Sequence, residues 1–105
     1  PSGGMIFAFP QESVLGFWMK NTLADLDIVY LDAGGRVVSW AEMRVEPPRG
    51  DGEAETDYEI RLPVYRSTGP ARYAFEFRAG TLNLLQLTQG ETIGLDIAAL
   101  ERLAR

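Results

Sequence analysis

Phe17-Trp18-Met19-Lys20-Asn21-Thr22-Leu23-Ala24-Asp25-Leu26-Asp27 joins two apolar runs, and at the join stands Lys20, the only lysine of the chain. Upstream, Val14 to Lys20 reads as a strand: Leu15, Phe17 and Met19 share one face, while Val14, Gly16, Trp18 and Lys20 share the other. A glycine inside a strand implies a bulge or a close backbone contact. Asn21 to Asp25 is a bend. Downstream, Leu26 to Leu31 is again strand-like, and Asp27 is the one charged residue inside that run. An ammonium group in an apolar setting costs several kcal/mol, roughly, unless it reaches water or a carboxylate. Asp27 is the first expected partner of Lys20 and Asp25 the second.

Outward from this elbow the chain alternates short strands and turns. Met5 to Phe9 is a strand that Pro10 stops. Asp32-Ala33-Gly34-Gly35-Arg36 is a hairpin signal, because glycine supplies the positive φ of such loops, and Arg36 to Met43 is the returning strand. Residues 46–57, with Pro47-Pro48-Arg49-Gly50-Asp51-Gly52, form an exposed, mobile loop. Tyr58 to Leu62 reads as a short edge strand ending at Pro63. Ala71 to Arg78 has the strictest alternation, placing Tyr73, Phe75 and Phe77 inward and Arg72, Ala74, Glu76 and Arg78 outward. Thr81 reads as the cap of a short helix that stops at Gly90, Glu91 to Leu95 as a last strand, and 97–105 as a helical tail. The pattern predicts a mainly β fold: a small antiparallel β-sandwich or barrel with one short embedded helix and a C-terminal helical tail.

The totals fit this reading. The chain has 105 residues, 46% of them apolar, which suits one domain with one core over 1–105. Its net charge is −5 and its cations are scattered singly, which argues against a nucleic-acid or anionic-membrane surface. Histidine and cysteine are absent, which removes the usual zinc ligands, thiol nucleophiles and histidine-based triads. Ser67 therefore has no activating histidine. No apolar run approaches the roughly 18–20 residues that span a bilayer. The chain opens on Pro1 rather than methionine, the expected mark of a processed or truncated product.

Phe17-Trp18-Met19-Lys20-Asn21-Thr22, followed by Leu26-Asp27 and by Asp32 ahead of Gly35-Arg36-Val37-Val38, resembles the signature of the domain of unknown function 192 family, uncharacterised envelope-associated proteins of bacteria and archaea. Gly4-Met5-Ile6-Phe7 on one side, and Tyr65-Arg66-Ser67, Ala71 to Glu76 and Ala79-Gly80 on the other, fit the same pattern, so the resemblance runs from about Gly4 to Leu95. It implies a compact, mainly β domain, often behind a signal peptide or lipid anchor, hence a periplasmic or otherwise exported location, and it implies no reaction. Three departures stand out. A Gly-Leu-Met-rich stretch upstream is missing, Asp25 replaces the family's proline, and the loop Pro47–Asp57 is long.

Three functional readings stay open. The first is a non-enzymatic module that binds a small ligand or an envelope component in a polar pocket made by Trp18, Lys20, Asn21, Thr22 and Asp27, with no catalytic residue, no metal and no cofactor. The second is a hydrolase or lyase in which Asp27 or Asp25 is the base and Lys20 the electrostatic stabiliser. The third is a structural or protein-interaction module using the acidic loop Gly50–Asp57. Two further arrangements are weaker. Trp18, Trp40 and Tyr30 would form an aromatic platform for a sugar, and Asp25, Asp27 and Asp32 would form an oxygen site for calcium, although their spacing matches no EF-hand loop.

Overall fold

A computed structural model describes residues 4–93. Within them the order of elements is β1 (Met5–Ser13), β2 (Gly16–Phe17), β3 (Leu26–Leu31), β4 (Val37–Met43), α1 (Glu55–Ile60), β5 (Tyr65–Arg66), β6 (Ala71–Arg78) and α2 (Thr81–Leu85). The fold is mainly β. A four-stranded antiparallel sheet has the order β1-β6-β3-β4, and β2 pairs with β5 in a separate two-stranded ribbon. The expected tail over 97–105 lies outside the described residues. Among the described residues no helix is long and apolar enough to cross a membrane.

The sheet is covered on both faces. On one, Ile28, Tyr30, Met43, Ala71 and Ala74 pack with Leu15 and Met19, which arrive from the ribbon and the elbow. On the other, Val29, Leu31, Val37 and Tyr73 pack beneath Leu82, Leu87 and Ile93. Central strand β3 is therefore buried on both faces, which is why its sequence is a continuous apolar run and not an alternation. The same double cover corrects the expectation for Ala71–Arg78. Tyr73 does face inward, but Ala74, expected outward, is fully buried in the first core.

Pro10 does not end the first strand. The β1–β6 register shifts between Ala8 and Ser13, and this irregularity takes in Pro10 on an edge strand, where a missing N–H leaves no ladder bond unmade. Val14 to Lys20 keeps the predicted facing, with Leu15 and Met19 buried and Val14 and Trp18 exposed, yet only Gly16 and Phe17 are paired. Gly16 marks a close approach: a Cβ there would stand 2.9 Å from Val64 Cγ1. The hairpin at Asp32 forms as expected, with Asp32 Oδ1 accepting the Gly34 and Arg36 N–H groups, each at 2.9 Å.

The largest correction is Tyr58 to Leu62. It is not an edge strand, because Glu55–Ile60 is helical. Tyr58 and Leu62, four apart, are buried, whereas Ile60 between them is 82% exposed, which is helical and not strand spacing. The loop before α1 is not left free either. Arg61 Nη2 donates to the Pro47 and Pro48 carbonyls, and its guanidinium pairs with Glu53 at 2.9 Å. The second helix caps on Gly80 and not on Thr81, and it stops at Gln86, in the left-handed region with φ +50, well before Gly90. Residues 90–93 then run beside the start of β4 through a bridge between Arg36 and Thr92 and the Ile93 N–H to Gly35 O bond.

Candidate functional site

The elbow is built by its backbone. Asn21 takes a left-handed conformation, φ +57, which asparagine tolerates better than most residues. Its N–H donates to the hydroxyl of Tyr58 at 2.9 Å, so the buried tyrosine of α1 clamps the bend. The Thr22 N–H donates to Met19 O at 3.2 Å, and the Thr22 hydroxyl donates back to Lys20 O at 3.3 Å. Asn21 and Thr22 thus spend their backbone groups and one side chain on holding the turn.

Lys20 does find negative partners, but they are not the expected ones. Its Nζ sits 2.6 Å from Glu55 Oε2 and also bonds Glu59, and it lies 5.6 Å from the centre of the Trp18 ring. Glu55 and Glu59 are one turn apart on α1 and close on the cation from the same helix face. The Lys20 side chain keeps 23% of its exposure. The hydrogen bonds that Lys20 donates to Glu55 and then Glu59 raise its pKa above the usual lysine value, and the same contact lowers that of Glu55. The two carboxylates favour the charged ammonium.

Asp27 is on the other face of the sheet. It is 1% exposed, and its Oδ2 accepts the Leu82 N–H at 2.9 Å at the start of α2. Sequence reasoning pairs Lys20 with Asp27 because both interrupt apolar runs seven residues apart; the intervening bend sends them to opposite faces. Asp25 is engaged as well: its Oδ1 accepts the Val45 N–H at 2.7 Å and its Oδ2 meets Arg44 at 3.3 Å, and the Val45 hydrogen bond, then Arg44, hold its carboxyl below the ordinary range. The Lys20–aspartate centre that the hydrolase reading requires is not assembled. Among the described residues, no group of three or more acidic side chains is placed to hold a metal, so Asp25, Asp27 and Asp32 do not converge.

Nor do the aromatics converge. Tyr30 is in the core with its hydroxyl donating to Tyr65 O, Trp18 carries Lys20, and Trp40 stands in a separate cleft. Ser67 is structural: its Oγ accepts the Leu15 N–H at 2.9 Å and donates to Gly69 O at 2.8 Å.

What the elbow and α1 do enclose is a cleft of about 240 Å³. It is lined by Asn21, Thr22 and Tyr58 together with Val45, Glu46 and Pro48. Leu23 stands at the rim, 96% exposed. Of the sequence-predicted site residues, the structure brings Asn21 and Thr22 to this cleft, sets Trp18 and Lys20 beside it, and removes Asp27. Glu55, Glu59 and Tyr58 were missed, because the strand reading of 58–62 hid the helical spacing that makes them one surface.

The Gly4–Leu95 likeness has a counterpart in comparisons with known proteins. A family model, DUF192, described as Uncharacterized ACR, matches residues 1–95. A crystal structure of a "putative transcription regulator" from Sinorhizobium meliloti 1021 superposes with a TM-score of 0.61 at 28% identity, over 83% of this chain and 57% of that one. A protein of unknown function from Novosphingobium aromaticivorans DSM 12444 superposes with a TM-score of 0.62 at 26% identity, over 85% of this chain and 54% of that one. The chain therefore spans little more than half the length of these two solved proteins. No curated protein gives a significant match. With the matched model covering nine-tenths of its length, the chain belongs to the DUF192 family, a family without an assigned reaction.

Proposed function

We propose that the chain is a non-enzymatic binding module whose contact region is the cleft between the elbow and α1. The observation that carries this reading is the neutralisation of Lys20 by Glu55 and Glu59 directly beside a cleft that the hydrogen-bonded bend at Asn21 and Thr22 lines. The lysine contributes order and not reactivity. It holds α1 against the bend, and the bend in turn presents Asn21, Thr22 and the exposed Leu23.

The charge around the cleft selects the ligand. Among the described residues no cation lines it, the adjacent lysine is answered by two carboxylates, and Glu46 is among the lining residues. An anionic ligand would meet net negative charge at close range, which is costly. The cleft suits a small group with an apolar body against Leu23, Val45 and Pro48 and a neutral or cationic head near Glu46. An exported location, implied by the family resemblance, is compatible with this role and belongs to the same proposal.

The test is a ¹H–¹⁵N NMR titration with n-butylamine, n-butanol and butyrate, three probes of one apolar body and three charges. Butylamine should shift the amides of Asn21, Thr22, Leu23 and Glu46 most, butanol less and butyrate least, and Leu23→Asp together with Glu46→Gln should reduce the butylamine response. Butyrate acting as strongly as butylamine, or shifts scattered away from these residues, would overturn the reading.

A further inference from the structure

We propose a second binding site, independent of the elbow cleft, in which Trp40 is the stacking platform for a neutral oligosaccharide. Trp40 is on β4, at the edge of the four-stranded sheet, with 41% of its surface exposed. It is shared by two clefts. One, about 640 Å³, is also lined by Glu42, Asn83 and Gln86 over an apolar base of Leu82 and Leu87. The other, about 210 Å³, is lined by Ser39, Thr68 and Gln89. The larger volume lies within the roughly 300–1,000 Å³ typical of small-molecule sites.

The chemistry of the lining chooses the ligand. A pyranose has an apolar C–H face and a rim of hydroxyls, each both donor and acceptor. An exposed indole meets the face. Asparagine and glutamine amides and serine and threonine hydroxyls meet the rim, because they too offer both donors and acceptors. Among the described residues no lysine or arginine lines either cleft, so an anionic chain would find no counter-charge there. Glu42, the one charged lining residue among those described, has its charge already offset by Arg44 at 3.1 Å, which weakens its pull on a cationic ligand. A neutral, hydroxyl-rich ligand remains. Two clefts flanking one ring correspond to successive units of an oligomer and not to a single sugar.

The walls are held in place without a ligand. Asp27 fixes the start of α2 through the Leu82 N–H. Gln86 closes α2 in a left-handed conformation that glycine or asparagine normally occupies, and it is the last polar residue on the wall of the larger cleft. On the other side, Gln89 Nε2 donates to Val38 O at 3.0 Å, and the Gly90 N–H to Val37 O bond, 2.8 Å, ties the segment to β4. These ties leave less ordering of the α2 end and of the 89–90 segment for a ligand to impose, which favours binding.

The test titrates the chain with cellohexaose, maltohexaose, laminarihexaose and chitohexaose, each followed by ¹H–¹⁵N NMR, with hexagalacturonate as the charged counterpart. At least one neutral hexamer should shift the Trp40 indole N–H and the side-chain amides of Asn83, Gln86 and Gln89. Trp40→Ala should weaken that binding by about tenfold or more, and Gln86→Ala, which alters an exposed helix end, by roughly threefold to tenfold. If none of the four neutral hexamers moves these resonances, if the shifts survive Trp40→Ala in a chain with unchanged amide dispersion, or if hexagalacturonate binds more tightly, the proposal is wrong. Gln86→Ala keeps it open to refutation should Trp40→Ala fail to fold, since full affinity in that variant also contradicts it.

Discussion

Two buried hydroxyls in this protein have opposite standing. Ser67 Oγ accepts from the Leu15 N–H and donates to Gly69 O, so it joins the start of the ribbon to the turn before β6. Ser67→Ala leaves the buried Leu15 N–H without an acceptor and should cost about 1–3 kcal/mol in urea denaturation. The Tyr73 hydroxyl is fully buried and has no hydrogen-bond partner among the described residues, though its ring fills the second core and lies 5.6 Å from the Arg72 guanidinium. Removing a desolvated hydroxyl that bonds nothing removes a cost. Tyr73→Phe should leave stability unchanged or raise it by up to about 2 kcal/mol in the same measurement. A loss of similar size would mean that the hydroxyl is hydrogen-bonded after all. Neither role could be read from the chain, since serine and tyrosine look the same in sequence whether or not their oxygens are answered.

At the scale of elements, α1 and the loop before it form one unit fastened by Arg61. That residue reaches the Pro47 and Pro48 carbonyls and Glu53, and Glu53 in turn accepts the Gly50 N–H at 2.9 Å. The Arg61 hydrogen bond, followed by the one from Gly50, holds the Glu53 carboxyl down from its ordinary 4.5 to about 2. A carboxyl with a depressed folded pKa contributes stability above its unfolded pKa and loses that contribution as pH falls through the folded one. The loop should therefore stay protected at pH 5 and loosen between about 4.5 and about 2. Amide exchange at Gly50 and Glu53 measures this, and Glu53→Gln should bring the faster exchange to neutral pH. The sheet strands β3 and β6 and the hairpin were legible because their signals are local: the run at Leu26–Leu31, the glycines at 34 and 35, and the aromatic run at Ala71–Arg78, although not the facing of Ala74. Helix α1 was not, because Tyr58–Leu62, with apolar positions at 58, 60 and 62, satisfies strand spacing, and only tertiary contact selects the helix. The facing of Leu15, Phe17 and Met19 was right while the strand itself shrank to two paired residues, since burial follows side-chain alternation and pairing needs a neighbouring edge.

Across the whole molecule, the sequence marked the elbow as the place of interest but misjudged its electrostatics, for a reason of distance. Lys20 and Asp27 are close in sequence and separated by the sheet, whereas Lys20 and Glu59 are 39 residues apart and bonded. Long-range pairing of this kind cannot be inferred from spacing when the connecting segment is misread. The two-faced sheet has a further consequence, at alkaline pH. Tyr30, in the middle of the first core, is pushed up to about 12, by burial first and by the charge of Glu76 second. The folded state therefore keeps the phenolic proton after the unfolded state, with its ordinary value of 10.0, has lost it. A raised pKa of this kind gives stability that is complete below pH 10 and declines as pH rises toward 12. The two units of difference correspond to about 3 kcal/mol at the upper end. Lys20, whose pKa is also raised, loses its contribution in the same direction as it deprotonates. Urea denaturation at pH 8, 10 and 11.5 should show wild-type stability falling across the upper interval. Tyr30→Phe, which keeps the ring and loses only the bond to Tyr65 O, should start lower and fall less steeply. Equal slopes for the two chains would mean that the Tyr30 hydroxyl reaches water in the folded state, and the closed first core described above would then be the part in error.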